Sequence, residues 1–317
     1  MKNFRQVLTN RTPLLFDGAI GTELYKRGLF LNRCFEEANL SNRSMIHDLH
    51  QDYRKAGAEV LTTNSWGANR FKLRSHNLQE QVGEINRESA RIAREVAGDE
   101  LHVAGSIGPL GGRLEPWGRI SEAEAFDAFR EQVAGLVEGG VDLLILETFS
   151  DPAEIRQAIR AARSIDPGIV LCACLTLDLR GELEFGPSLE EALADLVGAG
   201  ADVLGLNCSV GPQPMLTAVK RIKALTKLPL IVEPNAGLPK AVEGRSIYVA
   251  TPEYLATYTK YFLQEGVQFV GGCCGTSPEH IRTMAKAMRH YRAMDQGTLS
   301  REEMTIVVPK GEVEKPA

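Results

Sequence analysis

The sequence predicts a single (β/α)8 barrel, a TIM barrel, on three observations. Eight strand-like apolar runs lie between residues 14 and 273. Each run leads into a helix-like segment with its own start and stop signals. Nearly every run ends in small or chemically active residues, at the strand ends where barrels of this class carry their chemistry. An open, doubly wound sheet is the competing architecture, because repetition alone does not establish closure.

In order, the strand runs are Leu14–Asp17, Glu59–Asn64, His102–Ser106, Asp142–Glu147, Ile169–Thr176, Asp202–Asn207, Leu230–Glu233 and Phe269–Cys273. Several are continuously apolar, such as Leu143-Leu144-Ile145-Leu146, as parallel strands covered on both faces must be. Helical periodicity links them. Residues 41–56 set Met45, Ile46, Leu49 and Tyr53 on one face, with His47 and His50 facing outward. Residues 121–137 gather Phe126, Phe129, Val133 and Leu136, and residues 214–225 gather Met215, Val219, Ile222 and Leu225. Asp151-Pro152, Thr251-Pro252 and Ser277-Pro278 each place a capping side chain before a proline, whose missing N–H costs nothing at a first helical position. Ser121-x-x-Glu124 and Ser188-x-x-Glu191 are capping boxes. Gly57, Gly139-Gly140, Gly200 and Gly266 stop helices just before the next strand. Residues 1–292 therefore read as one barrel. Residues 293–317 are charged, end in Val-Pro-Lys-Gly-Glu-Val-Glu-Lys-Pro-Ala, and read as a tail or linker.

A chain of 317 residues suits one large barrel or two ordinary domains. Its net charge of -5 argues against a nucleic-acid partner, which requires a basic face. No apolar stretch is long enough for a membrane span. The start, Met1-Lys2-Asn3-Phe4-Arg5, lacks the apolar core of a secretory signal. A cytoplasmic protein is expected, and six cysteines in such a chain are not a disulfide framework.

The strand ends concentrate reactive groups: Asp17-Gly18-Ala19-Ile20-Gly21-Thr22, Thr62-Thr63-Asn64-Ser65, Gly105-Ser106-Ile107-Gly108-Pro109, Glu147-Thr148, Asn207-Cys208-Ser209, Glu233-Pro234-Asn235-Ala236-Gly237 and Gly271-Gly272-Cys273-Cys274-Gly275. Cys208, Cys273 and Cys274 fall at one level of the barrel, at the ends of strands 6 and 8. Successive strand side chains point to opposite faces. Cys273 and Cys274 reach one ion only if the backbone bends, and Gly271, Gly272 and Gly275 supply that freedom. Three thiolates suit zinc and leave a fourth tetrahedral position open, the mark of a catalytic site. Against this stand three buried thiols that bind nothing, or a vicinal disulfide. Cys172 and Cys174, inside an apolar run, read as packing residues. Cys34 has no assigned role.

Glu147 follows a run that reads as a buried strand, and a buried carboxylate needs a partner. A substrate ammonium serves, and so does an arginine or lysine inside the barrel mouth. Asp17 and Glu233 carry the same ambiguity. Gly18 and Gly21 let the backbone approach a ligand, so nearby amides suit a carboxylate. The chain has no P-loop, and no G-x-G-x-x-G follows the first strand. None of the six histidines is a candidate base or ligand.

Taken together, these strand ends resemble the homocysteine S-methyltransferase family. That family includes the homocysteine-binding module of cobalamin-dependent methionine synthase, the betaine-dependent enzymes and modules fused to methylenetetrahydrofolate reductase. The resemblance spans roughly residues 12–290. It rests most on the glycine-bracketed cysteine pair with an upstream Asn-Cys.

The resemblance implies a zinc barrel with Cys208, Cys273 and Cys274 as ligands. Asp17, Gly18, Gly21, Thr22 and Glu147 then line the homocysteine site, with Asn207 and Asn235 near it. The implied reaction is methylation of homocysteine, as a zinc-bound thiolate, to methionine. The methyl donor is left open among a methylcobalamin or methylfolate system, S-methylmethionine and betaine. Two other readings stay in play: a homocysteine- and zinc-binding subunit or module of a larger methyl-transfer assembly, inactive alone, and a cofactor-free lyase using Glu147 as base.

Overall fold

The computed structural model describes residues 3–30, 32–242 and 245–295. Eight parallel strands make one sheet: β1 Leu14–Leu15, β2 Val60–Thr62, β3 His102–Ile107, β4 Leu143–Phe149, β5 Val170–Leu175, β6 Val203–Asn207, β7 Leu230–Glu233 and β8 Phe269–Val270. β1 pairs with β8, and the order then runs back through β7 to β2. The circle is completed by a parallel bridge between Phe16 and Val60. There the Asp17 N–H donates to the Val60 carbonyl at 3.1 Å, and the Glu59 N–H to that of Leu15 at 2.8 Å. This contact decides for the barrel over the open sheet.

Alternation along the strands sorts the core into two shells. Phe16, Val60, Ala104, Ile145, Cys172, Cys174, Ile231 and Phe269 fill the interior of the barrel. Leu15, Leu61, Val103, Leu144, Leu171, Leu204 and Val232 face the surrounding helices. Cys172 and Cys174 are fully buried in the interior shell, where they act as small apolar side chains. The lower end is plugged by the helix Phe4–Asn10. Phe4 packs its ring on Phe269 and His102, at centroid distances of 5.5 and 4.9 Å. With that end filled, the open end lies at the C-terminal ends of the strands.

The helices begin where their caps predict. Ser121 and Ser188 form complete capping boxes with Glu124 and Glu191. Asp151 and Thr251 cap helices that open on Pro152 and Pro252. Gly57, Gly140 and Gly200 end theirs in the left-handed conformation. Two outward and inward assignments change. His50 is fully buried, not outward, because it lies four residues after Ile46 and three before Tyr53 on the buried face of Arg43–Ala56. Leu225 is 54% exposed, because its helix ends at Lys223. The last helix, Pro278–Asp295, runs three residues past the expected barrel limit at 292. Residues 296–317, most of the expected tail, lie outside the described residues.

Candidate metal and substrate site

β8 ends at Val270, so Cys273 and Cys274 sit beyond the strand in a turn that closes on Gly275, at φ +82°. The bend that two adjacent cysteines need is therefore present. On β6, Cys208 and Ser209 follow the strand with φ of +58° and +60°, conformations that non-glycine residues rarely adopt. Such strain persists only where surrounding contacts enforce it. The Cys208 N–H donates to the Glu233 carbonyl at 3.1 Å, and Cys273 N–H to that of Pro234 at 2.9 Å. The three sulfurs lie within 4.8 Å of one another, and Cys208 Sγ is 3.8 Å from Cys274 Sγ. All six cysteines are free thiols, so no vicinal disulfide forms. The neighbouring thiols of Cys208 and Cys273 push the pKa of Cys274 down, to about 3. Three soft donors at this spacing fit zinc, whose bonds to sulfur are roughly 2.3 Å. Beside them, the side-chain oxygen of Asn235 is buried and has no partner among the described residues.

Three carboxylates share the mouth. Asp17 and Glu233 are buried and Glu147 partly so, and none forms an ion pair with a described lysine, arginine or histidine. The arginine or lysine partner that the sequence left open is thus absent among the described residues. Asp17 Oδ2 accepts from the Thr62 N–H at 2.9 Å. Glu147 accepts from the Ser106 hydroxyl and from Asn207 Nδ2, the latter at 3.3 Å. Burial raises Asp17 to about 8 and Glu147 to about 7, against those hydrogen bonds. Burial, then Glu147 and Asp17, pushes Glu233 well above the usual carboxylate range. An uncompensated group of this kind is a mark of a site built for a cation.

The remaining candidates take different places. Asn207 is fully buried and acts as a junction: its Oδ1 accepts from the Thr148 N–H at 2.7 Å, and its Nδ2 faces Glu147, Thr148 Oγ1 and Cys273 Sγ. Thr148 itself has φ +66°. Gly21 and Thr22 open the short helix Gly21–Lys26, where N–H groups have no carbonyl of their own helix to bond. Thr22 Oγ1 accepts from the Gly275 N–H at 3.1 Å and so ties that helix to the cysteine turn. Gly18 makes its close approach to protein, since a Cβ there would lie 2.8 Å from Thr276 Oγ1 and 2.9 Å from Tyr53 Oη. Sequence reasoning missed Tyr248. Its ring packs on Gly275, and its side chain helps to lower the pKa of Cys274. Tyr248 follows a short hairpin, Lys240–Val242 with Arg245–Ile247, and nothing in that segment signals a site. A separate cavity beside the mouth, lined by Cys34, Trp66 and Lys72 among others, includes none of the candidate residues.

Comparison with known proteins agrees with this geometry. The homocysteine S-methyltransferase family model matches residues 14–288. The methionine synthases of Mycobacterium tuberculosis and Mycobacterium leprae are each 32% identical to the chain, over 304 and 308 residues. The chain spans 25% of the length of each of these curated relatives. The metallated form of the homocysteine methyltransferase MmuM from Escherichia coli superposes with a TM-score of 0.76 at 28% identity, covering 90% of this chain and 99% of that one. The carboxyl transferase domain of Rhizobium etli pyruvate carboxylase, at 15% identity and a TM-score of 0.52, shares the fold alone. With the family model covering the whole barrel, the chain belongs to the homocysteine S-methyltransferase family.

Proposed function

We propose that the barrel holds zinc through Cys208, Cys273 and Cys274 and transfers a methyl group to homocysteine, giving methionine. The observation that carries this reading is the convergence of three free thiols within 4.8 Å at the open end of the barrel. Bound there, zinc supplies the positive charge that lowers a neighbouring thiol's pKa from about 8.5 and makes the sulfur a nucleophile at neutral pH. The protein's own residues do the positioning. Asp17 and Glu147 receive the substrate ammonium, which relieves their burial. The amides of Gly21 and Thr22 receive its carboxylate. Asn207 fixes Glu147 relative to Cys273, so the ammonium and the sulfur sites keep a set separation. Orientation of this kind contributes several kcal/mol toward a displacement barrier. The sulfur takes the methyl carbon, the donor leaves with the bonding electron pair, and the thiol proton goes to solvent.

Two observations bear on the donor. MmuM, a homocysteine methyltransferase matched over nearly its entire length, supports a barrel that is sufficient for transfer by itself. The methionine synthases, matched over a quarter of theirs, support a module of a longer protein whose methyl donor is delivered by another part. A donor screen on zinc-loaded, reduced protein with homocysteine as acceptor separates them. Methionine formed from S-methylmethionine or betaine assigns a self-sufficient enzyme. Methionine formed only from methylcobalamin assigns the module. No methionine from any donor rejects transferase activity for the isolated barrel.

A further inference from the structure

One carboxylate in the mouth has no task in the mechanism above. Glu233 is 5% exposed, and no described group donates a hydrogen bond to its carboxylate. Its place follows from strand register. It stands opposite Asn207 of β6, whose amide faces Glu147 and Cys273. On its other side lies Gly271. A Cβ at Gly271 would come within 2.8 Å of Glu233 Oε1 and 3.2 Å of the Asp17 carbonyl. Glycine there clears the space the carboxylate occupies. Glu233 therefore shares the mouth with Asp17, through Gly271, and with Glu147, through Asn207, and both carboxylates repel its charge.

A buried carboxylate with no donor and two like neighbours is costly unless a ligand completes it. The three groups differ in what they have left to offer. Asp17 already accepts from Thr62, and Glu147 from Ser106 and Asn207. Glu233 accepts from none of the described residues. The geometry points to Glu233 as the third acceptor for the substrate's ammonium, which makes the site selective for a thiol bearing a primary amine. A primary ammonium has three N–H bonds to give, and on this inference Glu233 takes the one that Asp17 and Glu147 leave. An amine-free thiol leaves the three carboxylates facing one another. This inference rests on the homocysteine reading and concerns binding and selectivity only.

The test compares two ligands on zinc-loaded, reduced protein by calorimetry. They are homocysteine and 4-mercaptobutanoate, which has the same chain, thiol and carboxylate but no amine. Wild-type protein prefers homocysteine. Glu233→Gln removes the charge at nearly constant shape. The inference expects it to weaken homocysteine by roughly ten- to a hundredfold, the range of a charge-assisted hydrogen bond, with 4-mercaptobutanoate unchanged or tighter and zinc content unchanged. Equal weakening of both ligands, or no change for homocysteine, overturns it. If Glu233→Gln does not fold, Glu233→Met provides the same comparison, with the same expected and overturning results. Failure of wild-type protein to bind homocysteine is a different result, and it rejects the underlying function.

Discussion

Replacing Glu147 by glutamine should move stability and substrate affinity in opposite directions. In the zinc-free, reduced protein Glu147 titrates near 7, raised from 4.5 by burial and held back by the Ser106 hydroxyl. A carboxyl whose folded pKa lies above its unfolded value leaves the fold intact below pH 4.5. It then costs stability progressively as pH rises to 7. At about 1.36 kcal/mol per pKa unit, the full cost is about 3 kcal/mol above pH 7. Glutamine carries no such cost, although it satisfies the Ser106 and Asn207 donors less well, by about 1 kcal/mol. Glu147→Gln should therefore be about 1 kcal/mol less stable than wild type near pH 4 and exceed it by about 2 kcal/mol at pH 8. For a barrel of this size that is roughly a 3 °C rise in Tm. Homocysteine affinity of the zinc-loaded variant should fall by roughly ten- to a hundredfold, the range of one charge-assisted contact. Thermal unfolding across pH and calorimetric titration read the two quantities separately. A variant that is less stable than wild type at pH 8, and binds homocysteine equally well, would refute the reasoning: Glu147 would then be a structural carboxylate.

Cys208→Ala, Cys273→Ala and Cys274→Ala should each lose most of a single zinc per chain, while Cys172→Ala, from the barrel interior, should keep it; elemental analysis decides, and full zinc in Cys274→Ala would remove that residue from the site. His50 is buried with both ring nitrogens unpartnered among the described residues, and burial lowers its pKa to about 4. Its neutral form suits the fold above pH 6.5, and stability is lost as pH falls from 6.5 toward 4, by about 3 kcal/mol in full. His50→Leu should abolish that part of the acid sensitivity, and an unchanged pH profile of unfolding would show that the ring finds a partner in solution.

Much of the barrel was legible because local chemistry and global fold agree at each helix start. Ser121 and Ser188 needed only a glutamate three residues on, and Asp151 and Thr251 only a following proline. Closure was not legible, since it depends on Phe16 meeting Val60, a contact 44 residues apart that no local pattern encodes. Of the site, the Cys273–Cys274 pair stood out because glycines bracket it. Its geometry did not, because Thr148, Cys208 and Ser209 adopt left-handed backbone without the glycine that would announce it. Asn207 was expected near substrate, yet its hydrogen bonds make it the link between Glu147 and the cysteines. Tyr248 was invisible because a loop tyrosine carries no positional signal until the chain folds it onto Gly275. The uncompensated state of Asp17, Glu147 and Glu233 was invisible for a related reason: the absence of a neighbouring cation among the described residues is a property of the assembled mouth.

The central claim is that the three cysteines and the substrate sulfur meet at one zinc ion. X-ray absorption at the zinc edge counts sulfur ligands directly, on zinc-loaded, reduced protein before and after homocysteine is added at saturation. The account predicts three sulfurs from the protein alone, and about four, all near 2.3 Å, once homocysteine binds. A sulfur count that stays at three while calorimetry shows homocysteine bound would contradict it, since the thiol would then be held away from the metal that is supposed to activate it.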